Sequence, residues 1–213
     1  MPARERGRSV RGAVAAGLGV SALLLTACGA STPDANISGK VADSDGQPLP
    51  DAVIVVGEGQ VRTATVTKHD GTYSLSNQLT GNTAVHVFAP GFVYDPGHTL
   101  KSLNSGDNTY DVKLKPQQAG AGPTFSADPT ISVSGSTLNF QASISAGPGS
   151  PIGSELLAVD VTDGFAVLLN QGGSGASGSV ARKKVSAYAS WIFIATDDAC
   201  QESTTFPSAA MPQ

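Results

Sequence analysis

The 213 residues carry 13 Lys+Arg against 17 Asp+Glu, a net charge of −4, which argues against a basic nucleic-acid module. Charged residues make up only 14%; 13 of the acids are Asp and 4 are Glu, while Gly (25), Ser (24), Thr (17) and Pro (13) abound. Helices need Glu, Lys, Gln and Arg on their exposed faces, so a coiled coil and a helical bundle are excluded, and short strands joined by Gly/Pro/Asp turns are favoured.

The chain opens on a basic stretch, Arg4, Arg6, Arg8 and Arg11, followed by an apolar run from Gly12 to Leu25. That run is about 14 residues, short of the roughly 20 a membrane-spanning helix needs, and it reads as a secretory signal over 1–27. Its end, Leu25-Thr26-Ala27-Cys28, resembles the bacterial lipobox. The resemblance implies cleavage before Cys28 and acylation of its sulfur, with the bilayer as a partner and the outer face of the cell membrane as the location. Several acyl chains on one residue anchor stably, where one would bind only marginally. Cleavage removes four Arg and one Glu, leaving 9 basic and 16 acidic residues, a net of −7. Cys200 is then without an intramolecular partner, so no disulfide framework is expected.

Residues 28–35 read as a lipidated tether. From 36 to 115 strands alternate with turns at the spacing of a β-sandwich: Ile37 to Val41, Ala52 to Val56, Val61 to Thr67, Thr72 to Leu75, Ala84 to Ala89 and Thr109 to Leu114. Asp43-Ser44-Asp45-Gly46 and His69-Asp70-Gly71 supply turns.

The residues Gly39, Val41 and Asp43, then Gly46, Pro48, Leu49, Ala52 and Val53, follow the pattern that opens the carboxypeptidase regulatory-like domain, and the segment resembles that family. Thr65, Thr67, Gly71, Tyr73 and Leu75 continue the pattern, and Gly91-Phe92 fits its close. Two positions depart from it: Asp51 stands where Gly is usual, and Lys68 where Asp is frequent. The resemblance implies a transthyretin-like sandwich of seven strands that is not catalytic and serves as a spacer, folding aid or binding surface.

Residues 116–129 read as a linker and 130–213 as a second β-sandwich. Thr137 to Ser145 alternates cleanly, with Leu138, Phe140, Ala142 and Ile144 on one face. Leu156 to Val161 and Phe165 to Leu169 flank the Asp163-Gly164 turn; Gln171 to Ser179 reads as a loose loop or a bulging hairpin tip; Trp191-Ile192-Phe193-Ile194 is the strongest strand. The closing SAYASWIFIATDDAC resembles the last strand of bacterial immunoglobulin-like repeats.

Chemistry-bearing motifs are scarce. A zinc peptidase needs His and Glu at short spacing, and His69, His86 and His98 have no Glu nearby. No nucleophile elbow or phosphate loop occurs. The intradiol ring-cleaving dioxygenases are sandwiches with a similar opening; Tyr73, His69, Tyr94 and His98 lie loosely near their iron-ligand arrangement, but the expected Trp is missing. Asp43 with Asp45, and Asp197 with Asp198, are calcium candidates whose simpler reading is turn formation. Arg182-Lys183-Lys184 reads as an edge-strand gatekeeper or a contact for anionic wall polymer or lipid. The sequence therefore predicts an all-β protein of two consecutive antiparallel sandwiches with no catalytic residue, metal or cofactor. Its role is a binding or scaffold module of the cell envelope, with an envelope protein or glycan as partner. An accessory subunit of an envelope enzyme or transporter is the alternative.

Overall fold

Hydrophobic residues recur with period two rather than 3.6, and the computed structural model is built from strands throughout. It describes residues 33–93, 100–148, 152–173, 175–197 and 202–210. The expected signal segment 1–27, its lipobox and Cys28 lie outside the described residues, as do Tyr94, His98, Asp198 and Cys200.

The first half forms β1 (Pro33–Asp43), β2 (Val53–Val56), β3 (Val61–Val66), β4 (Thr72–Leu79), β5 (Gly81–Phe88), β6 (Phe92–Val93), β7 (Leu100–Leu103), β8 (Gly106–Thr109) and β9 (Val112–Pro116). One sheet runs β4-β1-β9-β6, with β8 also against β1. It is mixed, because β1 pairs antiparallel with β4 but parallel with β8 and β9, so the purely antiparallel expectation is corrected here. The strand begins at Pro33, inside the stretch read as tether. The His69-Asp70-Gly71 turn is not a hairpin, since it carries the chain from β3 in one sheet to β4 in the other.

The second half forms β10 (Thr124–Ser134), β11 (Thr137–Ser145), β12 (Ile152–Asp160), β13 (Phe165–Leu168), β14 (Asn170–Gly172), β15 (Gly175–Ala181), β16 (Ser190–Asp197) and β17 (Glu202–Ala210). The expected linker is half strand, with β10 starting at Thr124. Of the two readings of residues 171–179, loop or hairpin tip, the hairpin is the one observed, with β14 and β15 paired antiparallel. The basic cluster sits in a single 3-10 turn, Arg182–Lys184, rather than on an edge strand. Asp163-Gly164 does close a hairpin, β12 to β13.

The two halves share a sheet. An eight-stranded sheet runs β17-β16-β12-β13-β3-β2-β5-β7, joined across the halves where β3 pairs antiparallel with β13: Thr63 opposite Phe165, Arg62 opposite Ala166, Val61 opposite Val167. Ala64 and Gln60 extend the seam through backbone bonds to Gly164 (2.8 Å) and Leu168 (2.8 Å). Three cores result. One lies between the mixed sheet and the first half of the long sheet, around Ile37, Val41, Ile54, Tyr73 and Val87. Another lies between the four-stranded sheet β10-β11-β15-β14 and the second half, around Leu138, Phe140, Trp191 and Phe193. The third joins the other faces of both halves through Val53, Val55, Ala64, Phe88, Leu157, Val159, Ala166, Ile192 and Ile194.

That third core explains why β2 and β16 are apolar on both faces. Glu155 on β12 bonds Arg62 on β3 at 2.8 Å and lies within electrostatic reach of His86 on β5. Those strands are two and four places away along the sheet, so the long sheet must coil until its halves face one another. Both side chains of the ion pair are nearly buried, 8% and 14% exposed.

Candidate functional site

The motif side chains of the first half are tied up inside it. Asp43 Oδ1 accepts the Asp45 (2.9 Å) and Gln47 (2.8 Å) amides and so shapes its own turn, with Gly46 at φ +84°. Asp70 Oδ1 accepts the Thr72 hydroxyl (2.6 Å) and amide (3.0 Å), and the Thr72 hydrogen bonds hold this exposed carboxyl below its usual range. Thr67 is buried; its hydroxyl donates to the Leu49 carbonyl (2.6 Å) and accepts the Ala52 amide (2.9 Å), fastening the Pro48–Asp51 loop. The Tyr73 hydroxyl donates to the Tyr110 carbonyl at 2.7 Å, and its burial, with the neighbouring Tyr110 and Asp111, pushes its pKa up.

Gly39 lies beneath that same carbonyl, between the β8 and β9 pairings of β1, and a Cβ there would sit 1.9 Å from the Tyr110 oxygen. Gly71 bonds back through its carbonyl to the Val41 amide (2.9 Å), and Leu49 donates to the Val41 carbonyl (3.0 Å). Ala52 is fully buried; Pro48 bridges to Ala42; Gly91 turns the chain into the half-buried Phe92, which packs on the first core. Asp51, at the position where the family pattern has Gly, adopts φ +58°, the left-handed region glycine enters most easily.

Groups suited to metal chemistry are scattered. Among the described residues no three His, Cys, Asp or Glu side chains come together. His69 is exposed in its turn, whereas His86 is buried on β5, stacked on Phe88 at 6.2 Å, and burial lowers its pKa. Asp160 is fully buried at the end of β12 and accepts the Thr162 (2.9 Å) and Asp163 (3.1 Å) amides through Oδ1. Burial, helped by the nearby Asp163 carboxyl, pushes its pKa up to about 6 despite those bonds. Asp163 in turn accepts the Ser186 amide at 2.6 Å.

Two concave regions lie among the described residues. One, about 230 Å³, opens between β7 and β9; Val85, Val87, Val112 and Leu114 form its floor, and Lys101, whose ammonium lies 4.0 Å from the Tyr110 ring centre, stands at its rim. The other, about 450 Å³, lies on the outer face of the four-stranded sheet, walled at one edge by Gln60 from the β2–β3 turn. Strand register arranges that face in rows. Thr130, Gln141, Ser177 and Asn170 are opposite one another across four strands, and Ser132, Asn139 and Ser179 across three.

All of these side chains carry hydroxyl or amide groups that both donate and accept, and none is charged. Among the described residues none of them makes a side-chain hydrogen bond within the protein. The face exists because β11 alternates Leu138, Phe140, Ala142 and Ile144 inward with Thr137, Asn139, Gln141 and Ser143 outward. The inward half of that alternation is plain in the sequence; the outward half carries a signal too, in that every residue is polar and neutral.

Residues 36–115 match the carboxypeptidase regulatory-like domain. The regulatory-like domain thus accounts for β1 to β9 and leaves β10 to β17 outside it. No curated protein matches the chain in sequence. Among solved structures the chain is similar to a proposed carbohydrate-binding protein from Bacteroides uniformis, at 16% identity over 81% of this chain and 96% of that one, TM-score 0.35. It is also similar to a DUF3823 family protein from Parabacteroides merdae (14%, 84% and 99%, TM-score 0.34). A third likeness is to the major pilin subunit of Bacillus cereus (11%, 80% and 66%, TM-score 0.33).

Proposed function

We propose that this is a non-catalytic binding module, held by an acylated Cys28 on the outer face of the cell membrane, whose outer sheet face receives a glycan of the envelope. The observation that carries the reading is the face of Thr130, Ser132, Asn139, Gln141, Asn170, Ser177 and Ser179. A polyhydroxylated chain offers donors and acceptors in dense alternation and no charge, and neutral amides and hydroxyls on adjacent strands match that pattern without the desolvation cost of a carboxylate or ammonium. The regulatory-like domain supports the non-catalytic part, because its motif polar groups close internal turns and loops. The basic start, short apolar run and Leu25-Thr26-Ala27-Cys28 support the anchor.

Two experiments test this. Detergent-free fractionation of cells should place the wild-type chain with membranes and release Cys28→Ala; a variant that stays membrane-bound contradicts the anchor. Residues 31–213 form one compact unit and serve as the test protein. Affinity electrophoresis through a panel of neutral polysaccharides should retard it, and Asn139→Ala/Gln141→Ala should migrate faster. No retardation, or retardation indifferent to the double substitution, contradicts the binding face.

A further inference from the structure

We infer that the crossover from Arg182 to Tyr188 is a second contact on the same ligand, one that selects acidic glycans over neutral ones. The inference rests on the glycan reading of the neighbouring face and adds the class of ligand. Arg182, Lys183 and Lys184 are the only Lys or Arg after Lys115, so the whole positive charge of the second half is concentrated in one turn of an otherwise acidic region. All three are exposed, and among the described residues none forms an ion pair.

Position ties the turn to the face. Ser177 and Ser179 stand on β15, and the strand ends at Ala181 opposite Thr137, so the cations follow directly at the end of the polar rows. The crossover is held from below. Arg182 N–H donates to the Ser136 carbonyl (2.8 Å), Val185 N–H to the Arg182 carbonyl (3.0 Å), Ser186 N–H to the Asp163 carboxylate (2.6 Å) and Ser190 N–H to the Thr162 hydroxyl (3.1 Å). A backbone fixed at four points loses little freedom on binding, while the side-chain tips stay available.

Tyr188 completes the arrangement. It is 89% exposed, the most exposed of the large hydrophobic side chains among the described residues. A flat ring with an apolar face and a polar edge is suited to stacking on the C–H face of a sugar. Three exposed cations and an exposed ring on one short crossover, at the end of a neutral hydrogen-bonding face, fit a chain of sugars bearing carboxylates or phosphates. A flat anionic bilayer fits less well, because the acidic remainder of the protein would be repelled from it.

The test uses residues 31–213 with polygalacturonate and with its fully methyl-esterified, neutral form, which share one backbone. At low salt the acid form should bind about tenfold more tightly, the scale of a few exposed charge contacts, and the difference should shrink as salt rises. Arg182→Gln/Lys183→Gln/Lys184→Gln should bring the acid form down to the level of the ester, with an unchanged thermal unfolding curve as the control for folding. Tyr188→Ala should weaken both polymers several-fold.

Equal binding of acid and ester by the wild type, or a preference that survives the triple substitution, overturns the inference and leaves the neutral face standing. Binding of the acid form alone, lost in the triple variant, supports the crossover and overturns the neutral face. Vesicles of equal parts phosphatidylglycerol and phosphatidylcholine serve as the competing surface; binding as tight as that of the acid polymer overturns the choice of a glycan. If neither polymer binds, both readings fail.

Discussion

In residues 36–115 the polar side chains that define the motif bond inward or along the chain: Asp43 to its own turn, Asp70 to Thr72, Thr67 to the Leu49 loop, Tyr73 to the Tyr110 carbonyl. On the outer face of β10, β11 and β15 the polar side chains bond nothing in the protein and stand in register. The first region is specified by a dense motif and uses it to fold. The second has no motif and has its hydrogen-bonding capacity to spare. The most recognisable residues of the chain are thus the ones least available to a ligand.

The contrast can be broken most forcefully at Gly39. Gly39→Ala places a methyl 1.9 Å from the Tyr110 backbone oxygen and 3.0 Å from the buried Tyr73 ring, and should cost more than about 3 kcal/mol or prevent folding. Urea unfolding of the variant checks this; a loss under about 1 kcal/mol would mean that the β8–β9 joint yields easily.

The seam sharpens the comparison by asking whether the two regions are separate at all. Arg62→Ala leaves Glu155 nearly buried without its cation and should cost about 3 kcal/mol. Because the third core draws on both halves, the expected result is one shifted transition. Two transitions, with only the first displaced, would show that the halves unfold independently.

Asp160 gives a smaller, pH-dependent effect. Its folded pKa is raised to about 6 by burial, so the native state holds a proton that the unfolded chain has released. Stability from this group is therefore greatest at the acid end and falls as pH rises from the ordinary carboxylate range to about 6, staying low above it. The fall is at most about 3 kcal/mol, and Asp160→Asn should flatten it. Unfolding free energies at pH 4, 5, 6 and 7 for both proteins decide the matter; parallel profiles would contradict the assignment. The smallest expected effect on stability is that of Asn139→Ala/Gln141→Ala, within about 0.5 kcal/mol, because neither side chain contributes a bond to the fold.

Much of this fold was legible from local pattern. The alternation in Thr137 to Ser145 gave β11 at its observed bounds, and the motif gave the turns at Gly46 and Gly71. At Asp51, where the family pattern has Gly, the backbone is left-handed at φ +58°, which the pattern alone did not state. What local pattern does not encode is partnership between distant strands. The β3–β13 pairing, the Arg62–Glu155 ion pair and the parallel neighbours of β1 depend on contacts between remote segments. Nothing in VRTATV distinguishes a strand that ends a sheet from one that joins two sheet halves. The Gly/Ser stretch after Gln171 left loop and hairpin both open for a related reason: small residues that suit a loose loop also suit a strand pressed on Leu169, where a Cβ at Gly178 would come within 2.7 Å of its side chain. The polar face escaped notice because the inward residues of an alternating strand carry the fold signal and the outward ones usually carry none.

The most direct test of the central claim is backbone-amide NMR of residues 31–213 during titration with the methyl-esterified polygalacturonan. The account predicts shift changes confined to Ser132, Asn139, Gln141, Asn170, Ser177, Ser179 and Tyr188 and their neighbours, with the motif from Gly39 to Leu75 undisturbed. Changes centred instead on the cleft of Val85, Lys101 and Val112, or spread over the motif, would contradict it.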